Sequence, residues 1–177
     1  MQTSSARRAV ASTSPPAVPR LCMEQTGGRP TLLDGGWWPR STDPVAELPG
    51  LVLAIDALHG LVTGLVLSSD GWDSHPRRLK VAGRVLRLGY FTSQHSSLLT
   101  AICGNGDRVD LLVVPPGTER RLAEAAMILA ATAGNVVHAP YLLATAGAAQ
   151  SSSAESDGED AWEGEGDHLE RAGALTG

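Results

Sequence analysis

Asp34-Gly35-Gly36-Trp37-Trp38-Pro39-Arg40-Ser41 holds two of the four tryptophans in the chain. Gly35-Gly36 permits backbone angles closed to other residues, so the tryptophans are expected to leave a sharp bend. Pro39 pushes Trp38 toward an extended conformation. Neighbours on an extended backbone point to opposite faces. One tryptophan is therefore expected to enter the core and the other to cover the surface or line a groove.

Working downstream, Asp43-Pro44 reads as a helix N-cap followed by proline at the first helical position. Val45, Leu48, Leu51, Val52, Ile55 and Leu58 recur at three- and four-residue spacing, the stripe of a helix packed on a sheet. Pro49 is expected to kink or split that helix, and Gly60 to stop it. Upstream, residues 20–24 read as extended, Thr26-Gly27-Gly28-Arg29-Pro30 as a break, and residues 31–33 as a second short strand.

Beyond Gly60, residues 61–68 have the apolar, β-branched content of a strand, and Ser69 to Pro76 form a turn-rich loop. Residues 78–82 and 84–91 form a hairpin about Ala82-Gly83. Residues 97–103 and 108–114 form another about Gly104-Asn105-Gly106-Asp107, whose length suits a turn rather than a phosphate or calcium loop. Thr118 is expected to cap a second helix reaching about Ala133, with Leu122, Ala125, Ala126, Leu129 and Ala133 on one face and Gly134 as its stop. Val136 to Ala149 fits either a short strand or a helix around Tyr141-Leu142-Leu143. The expected fold is α+β: a mostly antiparallel sheet of five to six strands with two main helices packed on one face.

With 177 residues, the chain is long enough for one domain and two tails. Residues 1–19 read as a disordered leader ending in a short proline-rich spacer, 20–146 as a single α+β domain, and 147–177 as a disordered acidic tail with a lone Trp162. The net charge of −5 divides unevenly: +2 in residues 1–27, 0 in 28–147 and −7 in 148–177. An electrically balanced domain argues against duplex DNA as a partner, because that affinity comes from clustered Lys and Arg. Cys22 and Cys103 are far apart and read as buried free thiols, not as a disulfide framework or a zinc ribbon. No apolar run is long enough to span a membrane, and Arg7-Arg8 precede no apolar signal region. Cytoplasmic location is the expectation.

The aromatic stretch, together with Glu47-Leu48-Pro49, Trp72-Asp73, Arg77-Arg78-Leu79, Leu88 to Gln94 and Leu111 to Pro116, resembles an actinobacterial domain of unknown function. The likeness runs from about residue 20 to residue 135 and implies one compact domain whose polar-aromatic positions share a purpose. Gly36 stands where alanine is expected from that resemblance.

Asp34, Trp37, Trp38, Arg40, Asp70, Trp72, Asp73, Gln94 and His95 cluster in loops. If the loops at one end of the sheet converge, these residues form a groove with aromatic walls and a few polar groups, suited to a protein partner or a small ligand. The plainer alternative has Arg40 pairing with Asp34 or Asp73 while the tryptophans fill the core; an arginine beside a tryptophan also allows a cation–π contact. The leading expectation is a non-enzymatic binding or regulatory module. An enzyme or small-molecule pocket on Asp34, Arg40, Trp72 and Gln94 is the second. Ser93, His95, Ser96 and Ser97 lack the arrangement of a nucleophile, base and orienting acid. His59, His75, His95 and His138 lack metal-ligand spacing, and neither metal nor cofactor is expected. Arg77, Arg78, Lys80, Arg84 and Arg87 make one hairpin basic, with Arg78 and Lys80 on one face. RNA or another polyanion at hairpin 77–87 is the third expectation, set against a charged edge strand and an acidic tail able to fold back on it.

Overall fold

A computed structural model describes residues 8–26 and 30–159. Eleven elements follow in chain order: β1 (Val10–Ala11), β2 (Leu21–Met23), β3 (Gly35–Trp37), α1 (Pro44–His59), β4 (Val62–Ser68), β5 (Arg78–Val81), β6 (Arg84–Phe91), β7 (Leu98–Cys103), β8 (Arg108–Val113), α2 (Arg120–Ala130) and α3 (Ala139–Glu159). All eight strands join one sheet in the order β1-β5-β6-β4-β7-β8-β3-β2.

The α+β class is therefore correct, but the five- to six-stranded antiparallel sheet with two main helices on one face is not. The pairs β1–β5, β4–β6 and β3–β8 are parallel; β2–β3, β4–β7, β5–β6 and β7–β8 are antiparallel. The expected meander fails because β4 lies between the two hairpins and pairs with both β6 and β7. Both of its long edges are thereby satisfied, while Val62, Leu65 and Leu67 enter the core.

The helices occupy both faces of the sheet. Val109, Leu111 and Val113 of β8 pack with Leu48, Leu51, Val52 and Ile55 of α1. The intervening Leu112, with Val114 just beyond, packs with Ala123, Ala126 and Met127 of α2 and with Ala139, Leu142 and Ala146 of α3. Two-residue strand periodicity thus separates two cores. One amphipathic helix fills the first; the alanine-rich pair fills the second.

Local chemistry explains most element ends. Asp43 accepts a hydrogen bond from the Val45 N–H at 3.0 Å and caps α1. The helix runs unbroken through Pro49, which lies near its start and is buried. At the other end, Gly60 has φ +99° and bonds back to the Asp56 carbonyl. Ala82 (φ +47°) and Gly83 (φ +80°) make the tight turn expected between β5 and β6, whose two positive φ values match the twist of a hairpin. The cap of α2 is Glu119 rather than Thr118: its carboxylate accepts from the Arg121 and Leu122 N–H groups, which hold it below the usual carboxylate range. Residues 31–33 form no strand; pairing begins at Gly35.

The structure reaches beyond the 20–146 span. β1 pairs with β5, and α3 continues to Glu159. Residues 1–7 of the leader, Gly27-Gly28-Arg29 of the break, and residues 160–177 of the tail with Trp162 lie outside the described residues. Cys22 and Cys103 are both free, and burial pushes both thiols up. Among the described residues no helix is long and apolar enough to cross a membrane.

Candidate functional site

Trp37 and Trp38 point to opposite faces, yet both are buried, at 1% and 7% exposure. The expectation of one core and one surface tryptophan is corrected by the second core: helices cover both sides of β3. The glycines also act differently from expectation, since neither Gly35 nor Gly36 has a positive φ. They are needed for close approach. A Cβ on Gly35 would lie 2.2 Å from the Cys22 carbonyl oxygen of β2, and one on Gly36 would lie 2.7 Å from the Met127 Cα of α2.

Trp38 is fixed on its far side. Its indole N–H donates to the Pro115 carbonyl at 3.1 Å, and the Arg20 guanidinium lies 3.5 Å above its ring while donating to the Trp38 and Pro39 carbonyls. The cation–π partner is thus Arg20, not Arg40. Arg40 pairs with neither Asp34 nor Asp73. Its guanidinium donates to the Val18 carbonyl at 2.9 Å, and its backbone N–H donates to Glu47, whose other carboxylate oxygen accepts from Ser41. The first turn of α1 is thereby closed upon itself.

β3, β8, β4 and β6 all run the same way, because β3 is parallel to β8, β4 is parallel to β6, and β4 and β8 both oppose β7. Their carboxyl ends therefore lie at one end of the sheet, where open α/β sheets commonly hold their ligands. The loops leaving these four strands converge there on a cleft of about 210 Å³. Trp72, Pro39, Pro115, Pro116 and Val113 supply its apolar walls; Ser41, Thr42, Asp70, Ser96 and Ser97 supply polar groups. Trp72 stacks on Trp37 with ring centroids 6.0 Å apart and an angle of 21°. The core tryptophan thus sets the half-buried one that faces the cleft. Asp73 fastens this loop to the segment just before α1: its carboxylate accepts from the Thr42 hydroxyl at 2.8 Å and its N–H donates to the Thr42 carbonyl at 3.0 Å.

Asp34 lies at the other end of β3. Its carboxylate accepts from the Asp110 N–H at 2.7 Å, so it clamps β3 to β8; burial, with the Asp110 charge adding to it, raises its carboxyl above the ordinary aspartate value. Gln94 and His95 line a second cleft of about 370 Å³ between the β6–β7 loop, Asp110 and the start of α3 at His138 to Tyr141. Of the expected site, Trp72 and Asp70 share the corner cleft, with Trp37 and Asp73 directly behind them. Trp38, Arg40, Asp34 and Gln94 are placed elsewhere, so the four-residue pocket of Asp34, Arg40, Trp72 and Gln94 does not assemble. Among the described residues no group of three or more His, Cys, Asp and Glu is close enough to hold a metal.

Sequence reasoning passed over the hydroxyls of Ser41, Thr42, Ser96 and Ser97 and the pair Pro115-Pro116 as cleft residues. Pro115-Pro116 follow the end of β8, which is parallel to β3, and so lie beside the corner.

These features define a mixed-sheet α+β domain with a small aromatic- and proline-walled cleft at the carboxyl ends of its parallel strands. The chain belongs to a family of unknown function, DUF5994, whose family model matches residues 20–130. Neither the curated proteins nor the solved structures contain a match to it. The matched region runs from β2 through α2 and contains every residue of the corner cleft; β1 and α3 lie outside it.

Proposed function

We propose that this domain is a non-enzymatic binding or regulatory module whose ligand seats in the corner cleft. The observation that carries the reading is the convergence of four loops, all from the carboxyl ends of like-directed strands, around one Trp72 ring backed by the core. The volume of about 210 Å³ is below the range of about 300 to 1,000 Å³ typical for drug-sized ligands. It suits a side chain presented by a protein partner, or a small ligand of similar size. An apolar wall of tryptophan and prolines would hold the body of such a group, and the serine and threonine hydroxyls with Asp70 would orient it. A cytoplasmic setting, an actinobacterial origin and the Asp34 to Ser41 motif as the mark of the family belong to this same proposal.

The test is a thermal-shift screen of the full chain against metabolites, nucleotides and short peptides, repeated with Trp72→Ala and Ser97→Phe. The first variant removes one wall and the second fills the space. A hit should lose its shift in both variants while each still unfolds cooperatively without ligand. A hit that persists in both variants would place the site elsewhere and end this proposal.

A further inference from the structure

The second face of the sheet is only half covered. α2 and α3 pack over β2, β3 and β8, whereas the same face of β5 and β6 carries side chains directed to solvent. Strand alternation assigns them. On β6, Leu86 and Leu88 point into the α1 core and Val85, Arg87 and Phe91 point outward; on β5, Leu79 and Val81 point inward and Arg78 and Lys80 outward. The basic hairpin is thus divided: Arg84 turns to the helix side and pairs with Asp56 of α1, while Arg78, Lys80 and Arg87 share the open face.

Two features of that face are unusual for an inert surface. Arg78 and Arg87 are direct cross-strand partners, an arrangement of like charges that destabilises a sheet. Among the described residues none of Arg78, Lys80 and Arg87 has a carboxylate within ion-pair distance. Beside them Phe91, 51% exposed, lies over Gly89: a Cβ there would meet the Phe91 Cε2 at 2.9 Å. Glycine keeps the sheet low under the ring and leaves the other side of the ring to solvent. Across the face, Gly64 pairs with Arg87 and Ile102, and Arg108 pairs with Ile102, but Arg108 is taken up by the Asp110 carboxylate at 3.2 Å, so the unpaired cations are those of the β5–β6 hairpin.

We propose that this open face binds single-stranded RNA, with Arg78, Lys80 and Arg87 on phosphates and the Phe91 ring stacked on a base. The reading does not rest on the corner cleft. Cations in a row beside an exposed ring on a bare sheet are the two parts that single-strand recognition requires. An acidic peptide would use the cations and leave the ring idle. The second cleft adjoins this face through Leu98 and Asp110. There Gln94, whose amide N–H donates to the Leu98 carbonyl, keeps its side-chain oxygen as an acceptor for a ribose 2′-hydroxyl.

The experiment is fluorescence anisotropy of the full chain with fluorescein-labelled dodecauridine, with dodecathymidine as the DNA arm. Phe91→Ala should weaken RNA binding at least about 5-fold, the effect of losing one base stack worth about 1 kcal/mol. The double variant Arg78→Glu/Arg87→Glu should weaken it more than about 10-fold and flatten the dependence on salt, since each phosphate contact adds about 0.7 to the logarithmic slope. Arg121→Glu, a charge reversal on exposed α2, should leave binding unchanged. All of these side chains are exposed, and circular dichroism verifies the fold. No RNA binding, equal binding of the DNA arm, or RNA binding indifferent to Phe91→Ala would each overturn the proposal.

Discussion

Gly36→Ala tests the packing on which the corner depends. The added Cβ would sit 2.7 Å from the Met127 Cα, 3.0 Å from its Cγ and 3.1 Å from its Cβ. The nearest atom is backbone, so no rotamer change relieves the clash. α2 has to retreat by roughly 0.7 Å to restore ordinary carbon separation at about 3.4 Å. Overpacking of this kind costs about 1 to 3 kcal/mol, and the lower chain entropy of unfolded alanine returns about 0.4 to 1 kcal/mol. Taking the middle of each range, the net expectation is a loss of about 1.3 kcal/mol, or about 3 to 5 °C in Tm for a chain of this size. Urea unfolding followed by tryptophan fluorescence, checked for coincidence by circular dichroism, measures it. Adding Met127→Ala should not rescue the loss, because the clash with the helix backbone stays. A Gly36→Ala protein as stable as the parent would refute this account of why the glycine is there.

Two other predictions concern buried polar groups. Asp34→Asn keeps an acceptor for the Asp110 N–H and removes a charge that burial disfavours, so at pH 7 it should be neutral or stabilising, whereas Asp34→Ala should cost about 1 to 3 kcal/mol by orphaning that N–H. Because the folded carboxyl titrates above its unfolded value, its native state holds the proton longer, and wild-type stability should fall as pH rises through the window just above about 3.9. Equal pH slopes in wild type and Asp34→Asn would contradict the assignment. Among the described residues the Tyr90 hydroxyl is buried without a hydrogen-bond partner, and burial pushes its pKa up to about 12. Tyr90→Phe should therefore unfold at equal or higher urea concentration. It should also lose the part of the alkaline destabilisation that wild type shows between about pH 10 and 12, since there only the unfolded tyrosine has released its proton; absorbance at 295 nm follows the ionisation directly.

What the sequence disclosed was mostly local. α1 was legible from Asp43-Pro44, its apolar stripe and Gly60; both hairpins were legible from Ala82-Gly83 and the Gly104 turn. Those signals act over a few residues. The insertion of β4 between hairpins that follow it in the chain depends on pairings no local pattern records. Nor could β1 be found, because Val10 and Ala11 form a strand only by borrowing the edge of β5. The second core was hinted at by the alanines of α2, but the partner they pack against, α3, has a sequence that fits strand and helix equally. At the site, Trp72 and Asp70 line one cleft while Asp34, Arg40 and Gln94 are placed apart from it. Trp72 meets Trp37 across 35 residues of chain, and Arg40 is taken up by the Val18 carbonyl of a segment whose composition is that of a leader.

β4 also sets the order in which the sheet is completed. Hairpins β5–β6 and β7–β8 are each local and can close within about 1 to 10 μs. Neither can join the other until β4, made earlier in the chain, enters between them. Until it does, β6 and β7 each present an unsatisfied inner edge, the kind of surface on which chains of a second molecule pair in error. A weakened β4 would consequently be felt first as slower folding and aggregation of the waiting halves, even where the finished fold tolerates the change.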